Sequence, residues 1–289
     1  MSKNSIKAVV WFILGLIASV ANDSITKLLN NSMSASTVSF WRFGFSTIIL
    51  CPVIFTYGLK SIATAKLPTH VIRGGILALA MSLWAYGIKF VPISTVTLMS
   101  FTVPMFTILM ASVFLKEKIS TGTILATMIG FTGSLFTLSP NGINFSLISG
   151  IFIIASILFA TLDIINKSLL NRGEKTMAML FYSNFFSAIF AFFVPGVELH
   201  IEREAIILLF ILGLGANLIL FFIVKAFSLA KASFLAPFRY LELIISAMIG
   251  FVFFGEELSL NILIGGGMII LSSLLIDKKF KINGCKKNS

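Results

Sequence analysis

Charge is scarce in this chain of 289 residues: Asp, Glu, Lys and Arg make up 11% of it, about half the share found in a soluble domain. Cysteine is scarcer. Cys51 lies inside an apolar run and Cys285 near the C-terminus, a placement that supports neither a disulfide framework nor a thiolate metal site. The two histidines, His70 and His200, sit at the ends of apolar runs and are expected to be solvated. An integral-membrane enzyme would need acids or histidines clustered at one membrane face. Here the acids are scattered, which makes that reading remote. No Gly-x-x-x-x-Gly-Lys-[Ser/Thr] phosphate loop occurs, so no ATP-hydrolysing module is expected. No cofactor is expected either.

What is present is grease in long blocks. Ten stretches of about 18–24 residues are predominantly apolar: 7–29, 36–57, 71–90, 92–115, 120–138, 147–169, 176–195, 205–226, 231–254 and 259–276. Each is long enough to cross a hydrocarbon core of about 30 Å as a helix. The longest gap between them is about 13 residues, which leaves no room for a soluble domain. The fold class expected is an all-α membrane protein of ten transmembrane helices. Lys3, Lys7 and the run ending in "SVA" at Ala21 imitate a signal peptide. The internal repeat described below argues that this segment is a retained span.

The net charge of +11 follows from topology rather than from nucleic acid, which is not an expected partner. With the N-terminus cytoplasmic, sixteen Lys and Arg fall on inside segments and two, Lys89 and Arg203, on outside loops. That asymmetry places both termini in the cytoplasm. Lys27, Arg42, Lys167 and Arg239 fall within the spans.

The chain repeats itself. "DSITKLL" (Asp23–Leu29) matches "DIINKSLL" (Asp163–Leu170) at an offset of 140, and "FLKEKIS" (Phe114–Ser120) matches "FFGEELS" (Phe253–Ser259) at an offset of 139. The repeats are read as 1–138 and 146–280, followed by a basic tail, 281–289. Each half holds five spans. An odd number obliges the second half to enter from the opposite side, giving the inverted-topology plan of secondary transporters. Asp23 and Lys27 then lie toward the outer end of span one, and Asp163 and Lys167 toward the inner end of span six. Asp23 shares a helical face with Ser19, Thr26 and Asn30, and Asp163 shares one with Ser156 and Asn166. Polar stripes of this kind face water or protein, not lipid. A plainer alternative is that each Asp bridges the Lys four residues on.

Span nine carries "FLAPFRYLELIISAMIG". On a helical wheel Ala232, Ala236, Arg239 and Glu242 share one stripe, opposite Leu241, Ile244, Ile245 and Met248. Arg239 and Glu242 are spaced to pair. Each charge at mid-membrane costs about 2.5–3.5 kcal/mol, so either a wet passage or a tie to another helix must justify them. Pro237 removes a backbone donor and is expected to open the helix one turn earlier. Arg42 lies at about the depth of Asp23 and is its natural partner. Asn217, Trp84, Tyr86, Phe101 and Tyr240 are the further pocket candidates. Trp41 and Tyr182 read as interfacial belt residues. Gly130, Gly133 and "GGG" at 265–267 read as close-packing positions.

With "WRFGFS", "VPMFTILMASVFLKEKIS" and "APFRYLELIISAMIGFVFFGEELS" in a 5+5 arrangement, nearly the whole chain resembles the EamA-type branch of the drug/metabolite transporter superfamily. The Pro104 to Glu117 spacing carries the resemblance; in the second half Leu243 stands where that proline would be. The "PFRY" variant is similar to a subgroup of metabolite carriers, the S-adenosylmethionine uptake transporters of intracellular bacteria. The resemblance implies a pseudo-twofold bundle in a bacterial inner membrane around a central cavity. It implies a small zwitterionic substrate, with Arg239, Glu242, Trp84, Tyr86, Phe101, Tyr240 and Asn217 as candidate binding residues. Asp23, Lys27, Arg42, Asp163 and Lys167 are then candidate gating charges. An exporter of amino acids or drugs is the alternative. Oligomeric state is left open.

Overall fold

The computed structural model describes residues 3–30, 32–88, 100–138, 149–254 and 264–272. Within these, the side chains of Lys3, Lys27, residues 85–88, including Tyr86, residues 137–138 and residues 249–254 lie outside what is described. Glu256, in the repeated stretch Phe253–Ser259, and the tail 281–289 lie outside the described residues altogether.

The described residues are helical, with no strand among them. In order they are α1 (Lys3–Leu29), α2 (Ala35–Tyr57), α3 (Leu67–Ile88), α4 (Val103–Phe114), α5 (Thr121–Leu138), α6 (Ser149–Asn171), α7 (Thr176–Phe192), α8 (Arg203–Leu229), α9 (Ala232–Leu235), a 3-10 turn (Ala236–Tyr240) and α10 (Leu241–Phe254). Residues 264–272 form a last helix, α11. Segments in α1, α2, α6 and α8 are long and apolar enough to cross a membrane; α4, α5 and α7 contain shorter apolar helices.

The helices close into a ring. α1 packs on α8, α8 on α2, α2 on α7, α7 on α3, α3 on α6 and α6 on α4. α4 then packs on α9 and the turn, and the turn and α10 return to α1. Swapping α1 with α6, α2 with α7, α3 with α8, and α4 with α9–α10 regenerates the same ring. Each helix of one half is therefore held mainly by helices of the other.

The direction of the chain can be followed through the packing. The start of α1 (Ala8, Phe12) sits in one apolar cluster with the end of α8 (Ala226, Phe227) and with α9 (Ala232, Phe234, Leu235). The end of α6 reaches the same place, because Lys167 donates to the carbonyls of Phe227 and Ala230. The end of α1 (Leu29) packs at the opposite end of the ring with Val38 of α2 and Ala205 and Leu209 of α8. α1 and α6 therefore run in opposite directions.

Two glycines permit a close approach outside the ring. A Cβ on Gly130 of α5 would stand 2.5 Å from the Tyr240 ring, and one on Gly133 would stand 2.9 Å from the Gly265 carbonyl of α11. Both are shorter than a carbon contact tolerates, so α5 can lie against the turn and α11 only with glycine there.

Candidate functional site

Pro237 breaks its helix as its chemistry requires. It stands in the first turn of the 3-10 segment, where its missing N–H costs nothing. At 3.0 residues per turn, five such residues advance the chain by about 100° relative to an unbroken α-helix. Arg239 is thereby aimed at α6. One Nη2 lies 3.2 Å from Asp163 Oδ2, and the Thr107 hydroxyl of α4 donates to the same oxygen at 3.3 Å. The expected Arg239–Glu242 pair is corrected: Arg239 bonds Asp163 across the ring. Asp163 is 7% exposed, and a carboxylate so buried requires a cation beside it.

Glu242 opens α10 and turns toward α1, where the Ser19 hydroxyl is its polar neighbour and Asp23 and Arg239 are its charged neighbours. Asp23 in turn has the Arg42 guanidinium of α2 as its electrostatic partner. Five charged side chains from α1, α2, α6, the turn and α10 thus form one row: Arg42, Asp23, Glu242, Arg239, Asp163.

Part of this row is open. Asp23 is exposed, yet it does not face lipid. The outward stripe of α1 is Val10, Leu14, Ile17 and Leu28, all exposed apolar residues. At 100° per residue Asp23 lies about 140° round the helix from that stripe, on the side that carries Ser19. Its exposure is therefore to space within the ring.

The other candidates divide. Trp84 is half-buried, with Phe152 and Phe159 edge-on to it at 5.2 and 5.9 Å. Phe101 and Tyr240 are 1% and 0% exposed; their rings pack at 5.5 Å, and the Tyr240 hydroxyl donates to the Phe101 carbonyl. Asn217 is buried between α2 and α7, donating to the Ser46 carbonyl and accepting from Asn184 at 2.8 Å each. These three are engaged in packing and offer no free face in this conformation.

Lys167 does not pair with Asp163, four residues earlier. Its ammonium donates to the carbonyls of Phe227 at 2.6 Å and Ala230 at 2.8 Å, at the end of α8 where helical carbonyls lack partners and the dipole attracts a cation. Beside it Glu117 accepts from the amides of Ala232 and Ser233, at 3.2 and 3.1 Å, and from the Ser233 hydroxyl. Both charges thus fasten α4 and α6 to the α8–α9 link.

The expectation of a solvated His70 is also corrected. It is wholly buried, with Nε2 3.3 Å from Glu174 Oε1. Lys66 lies 3.4 Å from the other oxygen of Glu174. Arg73, one of the sixteen cations expected on inside segments, is buried in α3 and donates to the Met179 carbonyl. Burial and the Arg73 charge hold the His70 pKa below its ordinary value, against the pull of Glu174. Burial would raise Glu174; hydrogen bonds from Thr64, His70 and Lys66 outweigh it and hold the carboxyl low. Sequence reading missed this network, and it missed Thr107, because a hydroxyl in an apolar run gives no signal of its own.

A groove of about 450 Å³ between α2 and α7 is lined by Phe40, Trp41, Ile48, Phe185, Phe192 and neighbours. It carries no ionisable side chain and is not suited to holding a zwitterion.

The chain matches the EamA-like transporter family over residues 6–139 and again over 147–276. It is 38% identical over 275 residues to an S-adenosylmethionine uptake transporter of Rickettsia conorii, covering 95% of this chain and 93% of that one. It is 37% identical over 276 residues to the protein of the same name from Rickettsia prowazekii, with 95% and 93% covered. A riboflavin transporter of Brucella anthropi is 29% identical, with 83% and 86% covered. One solved crystal structure shares the fold at a TM-score of 0.76 and 14% identity, with 99% and 98% of the two chains covered. The family and these relatives are transporters, not enzymes. With its apolar helices and its charged row inside the ring, this chain is a multi-pass membrane protein that belongs to the EamA-like transporter family.

Proposed function

We propose that the protein imports S-adenosylmethionine across a bacterial inner membrane by alternating access, including exchange for the demethylated product. The observation that carries this reading is the row Arg42, Asp23, Glu242, Arg239, Asp163, drawn from both halves and partly open to water. A lipid-facing or purely structural bundle has no use for it: each charge costs about 2.5–3.5 kcal/mol at mid-membrane. The names of the relatives support the choice of substrate.

In this reading ten spans form two five-helix repeats, 1–138 and 146–280, of opposite orientation, with both termini and the tail 281–289 in the cytoplasm. The antiparallel course of α1 and α6 and the excess of Lys and Arg on one side support it. The two halves rock about the charged row. Asp23, Arg42 and Lys27 guard the outer mouth. At the inner mouth the fastening is Lys167 and Glu117 on the α8–α9 link, with Arg239 and Asp163 behind it. Trp84 and Tyr86 supply aromatic surface for the adenine.

Counterflow in liposomes tests the reading. Vesicles preloaded with unlabelled S-adenosylmethionine should transiently accumulate the labelled compound from outside. Vesicles that accumulate none, while an amino acid or riboflavin does exchange, would replace the substrate and leave the family in place.

A further inference from the structure

The five charges of the row are not equally occupied. Asp163 is taken up by Arg239 at 3.2 Å and by Thr107. Glu242 has the neutral Ser19 hydroxyl as its polar neighbour, and its charged neighbours are Arg239, already bonded to Asp163, and the like-charged Asp23. Among the described residues no salt bridge reaches Glu242 or Asp23. Arg42 has a buried Nε without a hydrogen-bond partner. Lys27 stands one turn beyond Asp23 toward the end of α1, and its side chain lies outside the described residues. One end of the row is thus internally satisfied. The other end presents, in order, a guanidinium, a carboxylate and a carboxylate, with Asp23 open to the space inside the ring.

We propose that Arg42, Asp23 and Glu242 form a three-charge frame that reads the methionine moiety of the substrate, and that Glu242 is the seat of the sulfonium. The inference rests on the S-adenosylmethionine reading of the previous subsection and deepens it. The methionyl part of that molecule carries a carboxylate and an ammonium on one carbon, then a sulfonium three bonds further on. Its charges run minus, plus, plus. The frame runs plus, minus, minus in the same order. Arg42 takes the carboxylate through its planar fork of donors, Asp23 takes the ammonium, and Glu242 faces the sulfur.

A sulfonium donates no hydrogen bond, so an anion at contact distance in a low-dielectric setting is the means of recognising it. The thioether of S-adenosylhomocysteine is uncharged. Beside it Glu242 is left without compensation near Asp23. Glu242 is therefore a specificity-determining residue: it favours the methylated substrate on the way in and weakens the hold on the demethylated product. Arg239 and Asp163 serve the frame by keeping the turn and α10 in place against α6.

Equilibrium binding to the purified full chain tests this, with S-adenosylmethionine, S-adenosylhomocysteine and sinefungin as probes. Sinefungin carries an ammonium-bearing carbon in place of the sulfonium and keeps the third charge. The wild-type protein should bind S-adenosylmethionine and sinefungin at least about tenfold more tightly than S-adenosylhomocysteine, equivalent to about 1.4 kcal/mol. Glu242→Gln should bring the three affinities to within about a factor of two, equivalent to about 0.4 kcal/mol. It should do so by weakening the two charged ligands while S-adenosylhomocysteine still binds, which also reports that the variant is folded. Asp23→Asn should weaken all three ligands together, because each carries the ammonium. Equal wild-type affinity for the methylated and demethylated compounds, or an unchanged ratio in Glu242→Gln, overturns the sulfonium seat and leaves the substrate reading standing. A wild-type protein that binds none of the three overturns both.

Discussion

Asp23 and Asp163 occupy equivalent places in the two repeats, at the offset of 140, and the structure treats them differently. Asp163 is buried, bonded to a guanidinium and a hydroxyl. Asp23 is exposed to the interior, with Arg42 as an electrostatic neighbour. Their cations are not equivalent either. Arg239 corresponds in the first half to Ser100, and Glu242 to Val103, at the offset of 139. The repeat thus supplies the scaffold and the aspartates, while the cations and the third acid belong to one half each. A twofold frame with unlike chemistry at its two ends can bind an unsymmetrical zwitterion in one orientation. The same contrast separates a structural charge from an available one.

That contrast can be broken at several points, with effects of decreasing size. Arg239→Ala strands Asp163 in a buried site, which costs about 3–5 kcal/mol when one partner of a buried pair is removed. Uptake and thermal stability in detergent should fall together. Asp23→Asn, at an exposed position with no salt bridge to lose among the described residues, should abolish uptake with little change in Tm. Equal losses of stability in the two variants would contradict the distinction.

Lys167→Met removes two charge-assisted hydrogen bonds from the end of α8, each worth about 1.5–3 kcal/mol before solvent takes their place. It should lower Tm by less than Arg239→Ala does. It should also raise the reactivity of a cysteine placed at the α8–α9 link toward a reagent on the cytoplasmic side. Unchanged reactivity would show that the fastening is not part of the inner mouth.

The network at the start of α3 should respond to pH. The folded-state pKa of His70 lies below its ordinary 6.5 and that of Glu174 below 4.5. In each case the unfolded chain binds the proton more readily. Stability is therefore fully present above those ordinary values and declines as pH falls, first below about 6.5 for His70 and then below about 4.5 for Glu174. His70→Gln should remove the first part of the decline in a Tm series from pH 7 to 5. A series that still declines as in the wild type would place the titrating group elsewhere. The smallest effect belongs to Trp41, whose Nε1 donates to the Glu198 carbonyl at 3.2 Å. Trp41→Phe should cost about 0.5–1.5 kcal/mol and leave uptake unchanged.

Much of this architecture is legible in the residues. Apolar block length gives the helices, and Pro237 gives the break in span nine. The paired "D-x-x-x-K" motifs give the equivalence of α1 and α6, and Gly130 and Gly133 give the close approach of α5. Partner choice is not legible. Arg239 is three residues from Glu242 and 76 from Asp163, and only the ring order brings the distant pair together. Lys167 has a plausible partner four residues away and instead takes helix-end carbonyls, whose need arises from where α8 stops. His70 precedes its apolar run by one residue and reads as loop; it is buried because the α6–α7 link folds over it with Glu174.

The central claim is that the row borders a water-filled chamber between the two halves. Ser19, which neighbours Glu242 and shares a face with Asp23, is the place to probe it. In a chain with Cys51 and Cys285 replaced, Ser19→Cys should react with a membrane-impermeant cationic thiol reagent, and S-adenosylmethionine should slow that reaction. A cysteine there that resists the water-soluble reagent but reacts with a lipid-soluble one would contradict the account.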